Sequence, residues 1–475
     1  MDNKHKSEFK RILNTKDVLV IAFGAMIGWG WVVSSGQWIQ TGGVLGTAIA
    51  FAIGGIMIFF VGLTYAELTT AMPKCGGEHV FSFRAFGPVG SFICTWAIIL
   101  SYTGVVCYEA VSFPTIIQYL FPGYMKGYMY TVAGFDVYAS WVAVGVALAV
   151  IIMVINMIGT EKAAMLQTVL TLVIAGVGIV LAAGSVFTGS SANMGTHLFN
   201  TESGSLIGNI ARVAVMTPFF FFGFDVIPQA AEEIKVPLKR LGKLMILSIV
   251  MAVAFYTMVV LSVGYVLNAN EINTSMSTTG LVTADAMAKA FSSQMMAKVL
   301  IIGGLCGIVT SWNSFLIGGS RAIYAMSTSY MLPATFGKLH KKRKTPIIAI
   351  ALVGGLSIIA PFFGRVMLVW IVDAANFACC LAYCMVSLSF VVLRKKLPDM
   401  KRPYEVKHYK LIGFLAVALS GAMALMYVIP KTGCTLNVYE WIIVGGWAAI
   451  GIFCFVWSKI KYKEKFASEV FGSSD

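Results

Sequence analysis

Charge is what this sequence has least of. Lys, Arg, Asp and Glu make up 12% of 475 residues, against 58% hydrophobic, whereas soluble domains run at about 25% charged. So few charges cannot solvate a globule of this length, and its long apolar runs would aggregate in water. Soluble enzymes, DNA-binding proteins and disordered tails are excluded. Histidine is scarce as well, five in all. None lies in the middle of an apolar run, so no intramembrane pair is on offer to ligate haem. The nine cysteines are odd in number and lack paired CxxC spacing, which speaks against a disulfide framework or a zinc site. Buried thiols acting as small hydrophobes fit better. No GxxxxGKS motif appears, so ATP is not the expected energy source.

What is present is hydrophobic length. A helix needs about 20 residues to cross the hydrocarbon core, and twelve runs qualify as candidate spans. Segments 1 to 5 lie near 17–38, 43–70, 85–120, 138–160 and 162–187. Segments 6 to 10 lie near 207–231, 241–267, 296–327, 346–363 and 366–393, and segments 11 and 12 near 410–430 and 438–458. A β-barrel would alternate polar and apolar residues instead of running apolar for twenty positions. The expected class is therefore an all-α integral membrane protein with twelve transmembrane helices. Residues 1–16 have no apolar core, and no cleavable signal peptide is expected.

Basic residues give the orientation. With the N-terminus inside, 29 of the 35 Lys and Arg fall on the cytoplasmic side. The external side receives Lys126, Arg212, Lys289, Lys298, Arg365 and Lys431. This asymmetry predicts an inner (plasma) membrane protein with both termini cytoplasmic. It also accounts for the net charge of +14 without nucleic acid. The run Lys341-Lys342-Arg343-Lys344 reads as a juxtamembrane inner loop.

Two segments are interrupted at mid-depth. Segment 1 reads Gly24-Ala25-Met26-Ile27-Gly28-Trp29-Gly30. Segment 6 reads Pro218, Phe219 to Phe222, Gly223, Phe224 and Asp225, with Pro228 beyond. Glycine lowers the cost of leaving helical geometry, and proline removes a ladder hydrogen bond. In lipid, freed backbone groups persist only where protein, ligand or cavity water satisfies them. The two breaks are five segments apart, an odd number, so the second unit enters the membrane from the opposite face. That is the pattern of an inverted repeat with a substrate site between its interrupted helices. A bland alternative for segment 1 is a packing face made by Gly24 and Gly28.

A broken helix makes receptors from backbone alone. Free amides at Trp29 and Gly30 favour a carboxylate. Carbonyls near Met26, Phe219 and Phe222 favour an ammonium. A site with both poles suits a zwitterion of amino-acid size.

Four stretches together resemble the amino acid–polyamine–organocation transporter superfamily, especially its prokaryotic amino-acid permeases. They are Gly24 to Gly30; Tyr65-Ala66-Glu67-Leu68 with Met72-Pro73, Gly76-Gly77, Phe81, Gly87 and Trp96; Phe222 to Asp225 leading to Ala231-Glu232-Glu233 and Pro237; and Ser320-Arg321, Tyr324-Ala325-Met326 and Leu332-Pro333. The resemblance implies a five-plus-five inverted-repeat fold and alternating access without covalent chemistry. The units would be 17–187 and 207–393, followed by two added helices over 410–458 and flanked by cytoplasmic ends 1–16 and 459–475. It implies carboxylate contacts at the backbone of Trp29 and Gly30. Amine contacts would fall at carbonyls near Met26, Phe219 and Phe222, with Phe219 as an aromatic cap, and Ile27, Gly28 and Gly223 complete the expected substrate-binding set. The sequence departs from the pattern at Trp29, where a small residue is usual, and at Trp31. Trp29 either fills part of the pocket or stacks on the substrate. Segment 5 carries Ile174 where some proton-coupled relatives carry a lysine.

Acids inside a membrane are functional candidates, since a mid-bilayer Asp costs about 2.5–3.5 kcal/mol on insertion scales. Asp225 sits where the family often places an acid linked to gating or protonation; alternatively it caps the helix restarting after Gly223. Glu109 meets a substrate amine, carries a proton, or turns toward the outer vestibule. Asp373, near Asn376, is a weaker candidate of the same kind. Glu67, Glu232 and Glu233 read as partners of Arg84, Lys235 or Arg240 at inner helix ends. Thr310-Ser311 resembles the hydroxyl pair that completes a sodium site with carbonyls of Gly24 and Ile27; alternatively both bond back to their own helix. Hydroxyls without the lysine favour sodium over the proton. No cofactor is expected beyond a coupling Na+ or H+.

The leading expectation is a secondary active importer of an amino acid or related amine, running as a symporter or exchanger. A polyamine or organocation transporter, a membrane nutrient sensor and a channel are the alternatives. An enzyme is the least expected class, because no nucleophile, base and acid converge at mid-depth.

Overall fold

The computed structural model describes residues 9–201, 205–365, 367–430, 432 and 434–467. Lys431 and parts of the expected ends 1–16 and 459–475 fall outside these. Among the described residues, eleven helices are long and apolar enough to cross a membrane. A shorter apolar helix, Ile347–Phe363, stands where segment 9 is expected.

Segment 1 begins as the helix Thr15–Met26, set by Asn14, whose side chain accepts the amides of Lys16 and Asp17 while Asp17 returns a bond to the Asn14 amide. That reciprocal box satisfies donors the first turn leaves free. Segments 2, 3, 4 and 5 are Val44–Ala71, Gly77–Leu120, Ala139–Ile158 and Thr160–Thr188. Segment 3 starts earlier than the apolar run does, because helical winding extends back through a kink at Gly87 (φ 75°), followed by Pro88, to Gly77. Segments 7, 8, 10, 11 and 12 are Leu238–Val266, Gln294–Thr328, Met367–Lys396, Tyr409–Met426 and Val438–Tyr462. Two short helices, Ala269–Thr278 and Val282–Ala290, occupy the polar stretch before segment 8.

Burial sorts the helices. In the most apolar stretch of segments 3 and 8, 78% is buried inside the protein, against 22% in segment 11 and 11% in segment 12. Segments 3 and 8 are central, and 11 and 12 are peripheral. Most of the bare apolar surface, such as Ile450, Ile452 and Phe453, lies where only lipid would cover it.

One element departs from an all-α reading. Tyr128–Val132 and Phe135–Tyr138 form an antiparallel hairpin. The joining pair, Ala133 (φ 46°) and Gly134 (φ 85°), has the two positive φ values of a two-residue hairpin turn that follows strand twist. Aromatic and β-branched residues on either side supply the strands.

Candidate functional site

Both mid-depth breaks are present, and they touch. The segment 1 helix stops at Met26; Ile27 turns out of helical geometry (φ −104°, ψ 77°), and winding resumes at Gly30–Val33. Segment 6 runs as Leu206–Met216, tightens to a 3₁₀ turn over Thr217–Phe221, and becomes extended at Phe222 (φ −68°, ψ 141°). Gly223 then takes φ +133° before the helix Val226–Gln229. A Cβ on Gly223 would lie 2.5 Å from the Ala25 Cβ and 3.0 Å from the Met26 amide. A Cβ on Gly30 would run into the Phe220 ring. Each break needs glycine because the other occupies the space.

The freed backbone splits into two poles. Among the described residues the amides of Gly28, Trp29, Gly30 and Trp31 find no acceptor, so four donors face the gap at the start of the outer half-helix. That is a ready anion receptor. On the carbonyl side, Met26 is already engaged by the Tyr256 hydroxyl at 2.9 Å. Tyr256 is a segment 7 residue that the sequence pattern did not single out. Phe219 is half-buried and edges against Tyr108 with ring centroids 6.2 Å apart. The Phe222 ring packs edge-on against both Phe219 and Tyr383, and its backbone lies at the break. Trp29 fills space: its ring lies against Gly304 of segment 8, within the helix contact.

The acids divide by partner. Glu109 is buried, and its Oε1 is 3.1 Å from where a Gly28 Cβ would stand. Ser311 lies beside both, and Oε2 has no partner among the described residues. Glu109 therefore faces the segment 1 break. Asp225 makes no side-chain cap to the helix it precedes; Oδ1 accepts the Gly223 amide at 2.8 Å and Oδ2 accepts the Tyr102 hydroxyl at 2.7 Å. Asp373 and Asn376 line a cavity of about 450 Å³ with Trp38, Tyr108, Phe219 and Phe220. It opens above the breaks on the side of Ser34 and Gln37. A larger concavity of about 840 Å³ between segments 2, 5 and 7 is almost wholly apolar and touches neither break.

A buried polar cluster away from the Asp373 cavity ties segments 5 and 8 to the stretch after segment 6 and to the N-terminal residues. Glu233 and Arg321 form a buried ion pair at 2.8 Å, and Thr160 joins both, donating to Glu233 and accepting from Arg321. The Ile12 and Leu13 amides donate to the Glu233 carbonyl, and the Lys235 amide donates to Leu13. Glu233 thus pairs with Arg321 rather than Lys235 or Arg240. Glu67 pairs with Arg394 and Arg402 rather than Arg84. Sequence separation hid both pairs, since Arg321 lies inside an apolar helix and Arg394 ends segment 10.

The hydroxyl pair of segment 8 lies against segment 1: the Thr310 Cβ is 3.4 Å from a Gly24 Cβ position, and the Ser311 side chain is 3.7 Å from that of Gly28. Thr310 bonds back to the Gly307 carbonyl at 3.0 Å. Gly24 faces the Gln167 amide nitrogen and the Thr171 hydroxyl, each 2.5 Å from its Cβ position. Gln167 cannot turn its oxygen there: that oxygen accepts from Asn313, whose own oxygen accepts from Asn156. The chain of amides fixes each side chain in turn. The Gln167 nitrogen and the Thr171 hydroxyl both donate to the Val20 carbonyl, at 3.3 and 3.5 Å, and Ile174 is fully buried among apolar groups.

Residues 13–454 match the family model for amino acid permeases. The chain is 26% identical to a branched-chain amino acid permease of Bacillus subtilis (strain 168), over 87% of each chain. It is 26% identical to a serine/threonine exchanger of the same organism, over 82% of this chain and 86% of that one. An aspartate-proton symporter, also of B. subtilis, is 25% identical over 86% and 78%. The chain belongs to the amino acid permease family of the amino acid–polyamine–organocation superfamily. It is a multi-pass membrane protein and an amino-acid transporter, not an enzyme.

Proposed function

We propose that this protein is a secondary active importer that moves a small amino acid by alternating access, around a site held between the two breaks. The observation that carries the reading is the contact of Gly223 with Ala25 and Met26 beside four unsatisfied amides. Such a backbone gap is stable in lipid only if a solute or water completes it. The outer cavity above the breaks and the ion-paired closure below them match an outward-facing stage of the cycle. Twelve crossings, with Ile347–Phe363 as the ninth, and two inverted units over 17–187 and 207–393 complete the reading. Helices 410–458 are peripheral, and both termini are cytoplasmic at the plasma membrane.

The substrate carboxylate would lie on the amides of Gly28 to Gly30. Its ammonium would lie toward the Phe219, Phe222 and Gly223 backbone, with Phe219 as the cap. The Met26 and Ile27 carbonyls are secondary acceptors, because Tyr256 already holds Met26. Relatives named as an exchanger and as a proton symporter leave either mode of energy coupling available to this fold. A sodium ion held by the Gly24 and Ile27 carbonyls with Thr310 and Ser311 is one arrangement for coupling; a proton held by buried carboxylates is the other.

Uptake of labelled amino acids into proteoliposomes tests the reading. Saturable uptake that is accelerated by unlabelled substrate on the far side supports it. Unsaturable flux would indicate a channel, and ligand-induced thermal stabilisation without flux would indicate a sensor. One observation favours a second substrate class: the Glu109 carboxylate standing beside the anion receptor. An amine or polyamine would satisfy Glu109 directly and leave the amides to water.

A further inference from the structure

Below the segment 6 break lies a second buried cluster, separate from the backbone gap. Glu78, on the first turn of segment 3, is completely buried, as is Asp225. Both acids hold the same short stretch of segment 6, Asp225 at Gly223 and Glu78 at Gln229. Gln229, one turn beyond Asp225, donates its side-chain amide to Glu78 Oε2. Tyr102 donates to Asp225 and also lies within range of Glu78, as does Tyr65. The remaining groups facing the acids are Tyr383 and Cys379 from segment 10 and Cys94 from segment 3. None of these is a cation. Among the described residues, no Lys, Arg or His pairs with either acid. Arg321, the buried cation of segment 8, is committed to Glu233 and Thr160.

Among the described residues, Glu78 Oε1 and Gln229 Oε1 are buried acceptors without a hydrogen-bond partner, and the Tyr65, Tyr383 and Ser101 hydroxyls are also buried without one. Two ionised carboxylates in one apolar enclosure with no counter-ion repel each other and lose their hydration; such pairs hold a proton between them. Mechanical connection is built in at both ends. Asp225 fixes the Gly223 amide at the break, while Glu78 and the Gly76 amide hold Gln229 on the inner half of segment 6.

We infer that Glu78 and Asp225 form one shared proton-binding site, through which the geometry of the segment 6 break is linked to closure of the inner side. One of the two carboxylates takes up a proton, forming an O–H bond, and the pair then carries a single negative charge. The proton leaves to the inside when segment 6 parts from Glu78 and water reaches the pair. The inference rests on the transport reading, since it assigns that transporter its coupling ion.

The test uses purified full-length protein in proteoliposomes, with a labelled amino acid that the wild type carries. For one proton per substrate, an outside one pH unit more acid is worth about tenfold in accumulation. Glu78→Gln should abolish that gain while retaining exchange between labelled and unlabelled substrate, which needs no net proton movement. Persisting pH-driven accumulation in E78Q overturns the inference, as does loss of exchange in an E78Q protein that still folds. A second measurement needs no substrate. Infrared difference spectra of the protein between acid and alkaline pH should contain a protonated-carboxyl band that both E78Q and Asp225→Asn remove. Absence of such a band in the wild type, or its survival in both variants, overturns the inference even if E78Q transports nothing. Absence of any exchange by the wild type would sink the transport reading and leave the infrared result to decide the proton site.

Discussion

Asp225 reaches back across the segment 6 break to accept the amide of Gly223, two residues earlier, at 2.8 Å, and holds the Tyr102 hydroxyl at 2.7 Å with its other oxygen. The carboxylate therefore pins the gap open instead of capping the helix that follows. Tyr102 also meets the Asp225 carbonyl at 3.1 Å, which fastens the same turn to segment 3. A residue with two such fixed bonds controls backbone shape at the site without needing to touch a solute.

Asp225→Asn keeps an acceptor for Gly223 but turns a donor toward the Tyr102 hydroxyl. Hydrogen bonds to charged groups contribute about 1.5–3 kcal/mol, so gradient-driven uptake should fall about tenfold or more. Affinity, read as a ligand-induced rise in melting temperature, should fall less. Equal loss of both would count against a gating role. Gly223→Ala is harsher, because φ +133° and the 2.5 Å approach to Ala25 both oppose a Cβ. Backbone strain of that kind costs about 1–3 kcal/mol, visible as a lower melting temperature without ligand.

The proposed closure of the inner side hangs on Glu233 and Arg321. Removing one member of a buried pair costs about 3–5 kcal/mol because the other is left charged in an apolar place. Arg321→Met should release the loop at residues 233–235 from Leu13 and shift the protein toward inward-open states. Cysteines placed near Ile12 would then react faster with a reagent supplied from the inside. Unchanged labelling in a folded R321M protein would rule out this pair as the lock.

How much of this was readable from the chain follows from range. The breaks were legible because Gly, Pro and mid-depth location act locally, and Gly28, Trp29, Gly30, Phe219, Phe222 and Gly223 all gather at the gap. Orientation of side chains was not legible. Whether Glu109 met the break depended on the rotation of segment 3, and whether Trp29 faced a solute or Gly304 depended on segment 8. Tyr256, Glu78 and Gln229 carried a weak signal, as polar groups inside or at the ends of apolar runs, but their partners lie far away in sequence. The hairpin at 128–138 was hidden within a loop because its strands are shorter than any membrane run.

Glu109 offers a specificity test. Its carboxylate stands at the segment 1 break beside Ser311 with one oxygen unpaired. Glu109→Gln removes the charge and keeps the shape. Competition assays should show cationic substrates weakened by about tenfold or more, on the scale of one charged hydrogen bond, with neutral amino acids changed far less. Equal effects on both classes would leave Glu109 a structural role.

Sodium dependence separates the two coupling ions, and the Glu78–Asp225 site assigns the role to the proton. Replacing sodium with choline in the outside buffer should leave uptake unchanged within error. Gln167→Leu would cut the Asn156–Asn313–Gln167 chain and strand a buried Asn313 donor, at about 1–3 kcal/mol. Uptake that collapses in choline would restore Thr310, Ser311, Gly24 and Ile27 as a sodium cage.

Segment 12 provides the control for effects unrelated to transport. Trp96 and Trp447 stack at 4.5 Å with planes 18° apart, and each indole N–H donates to the other's carbonyl, at 2.8 and 2.9 Å. Phe455 adds an edge contact to Phe92. A helix so little buried is anchored by these few rings. Trp447→Ala loses the stack and the bond its own indole donates to the Trp96 carbonyl, while the backbone carbonyl at 447 still accepts from Trp96; truncating a large aromatic costs about 3–5 kcal/mol in a full core, and the exposed half of this site puts the loss at the low end. Protease cutting between segments 11 and 12 should quicken and the melting temperature should drop, with substrate affinity preserved, because none of these groups touches either break. If affinity fell in step with stability, segment 12 would have to be counted as part of the moving core.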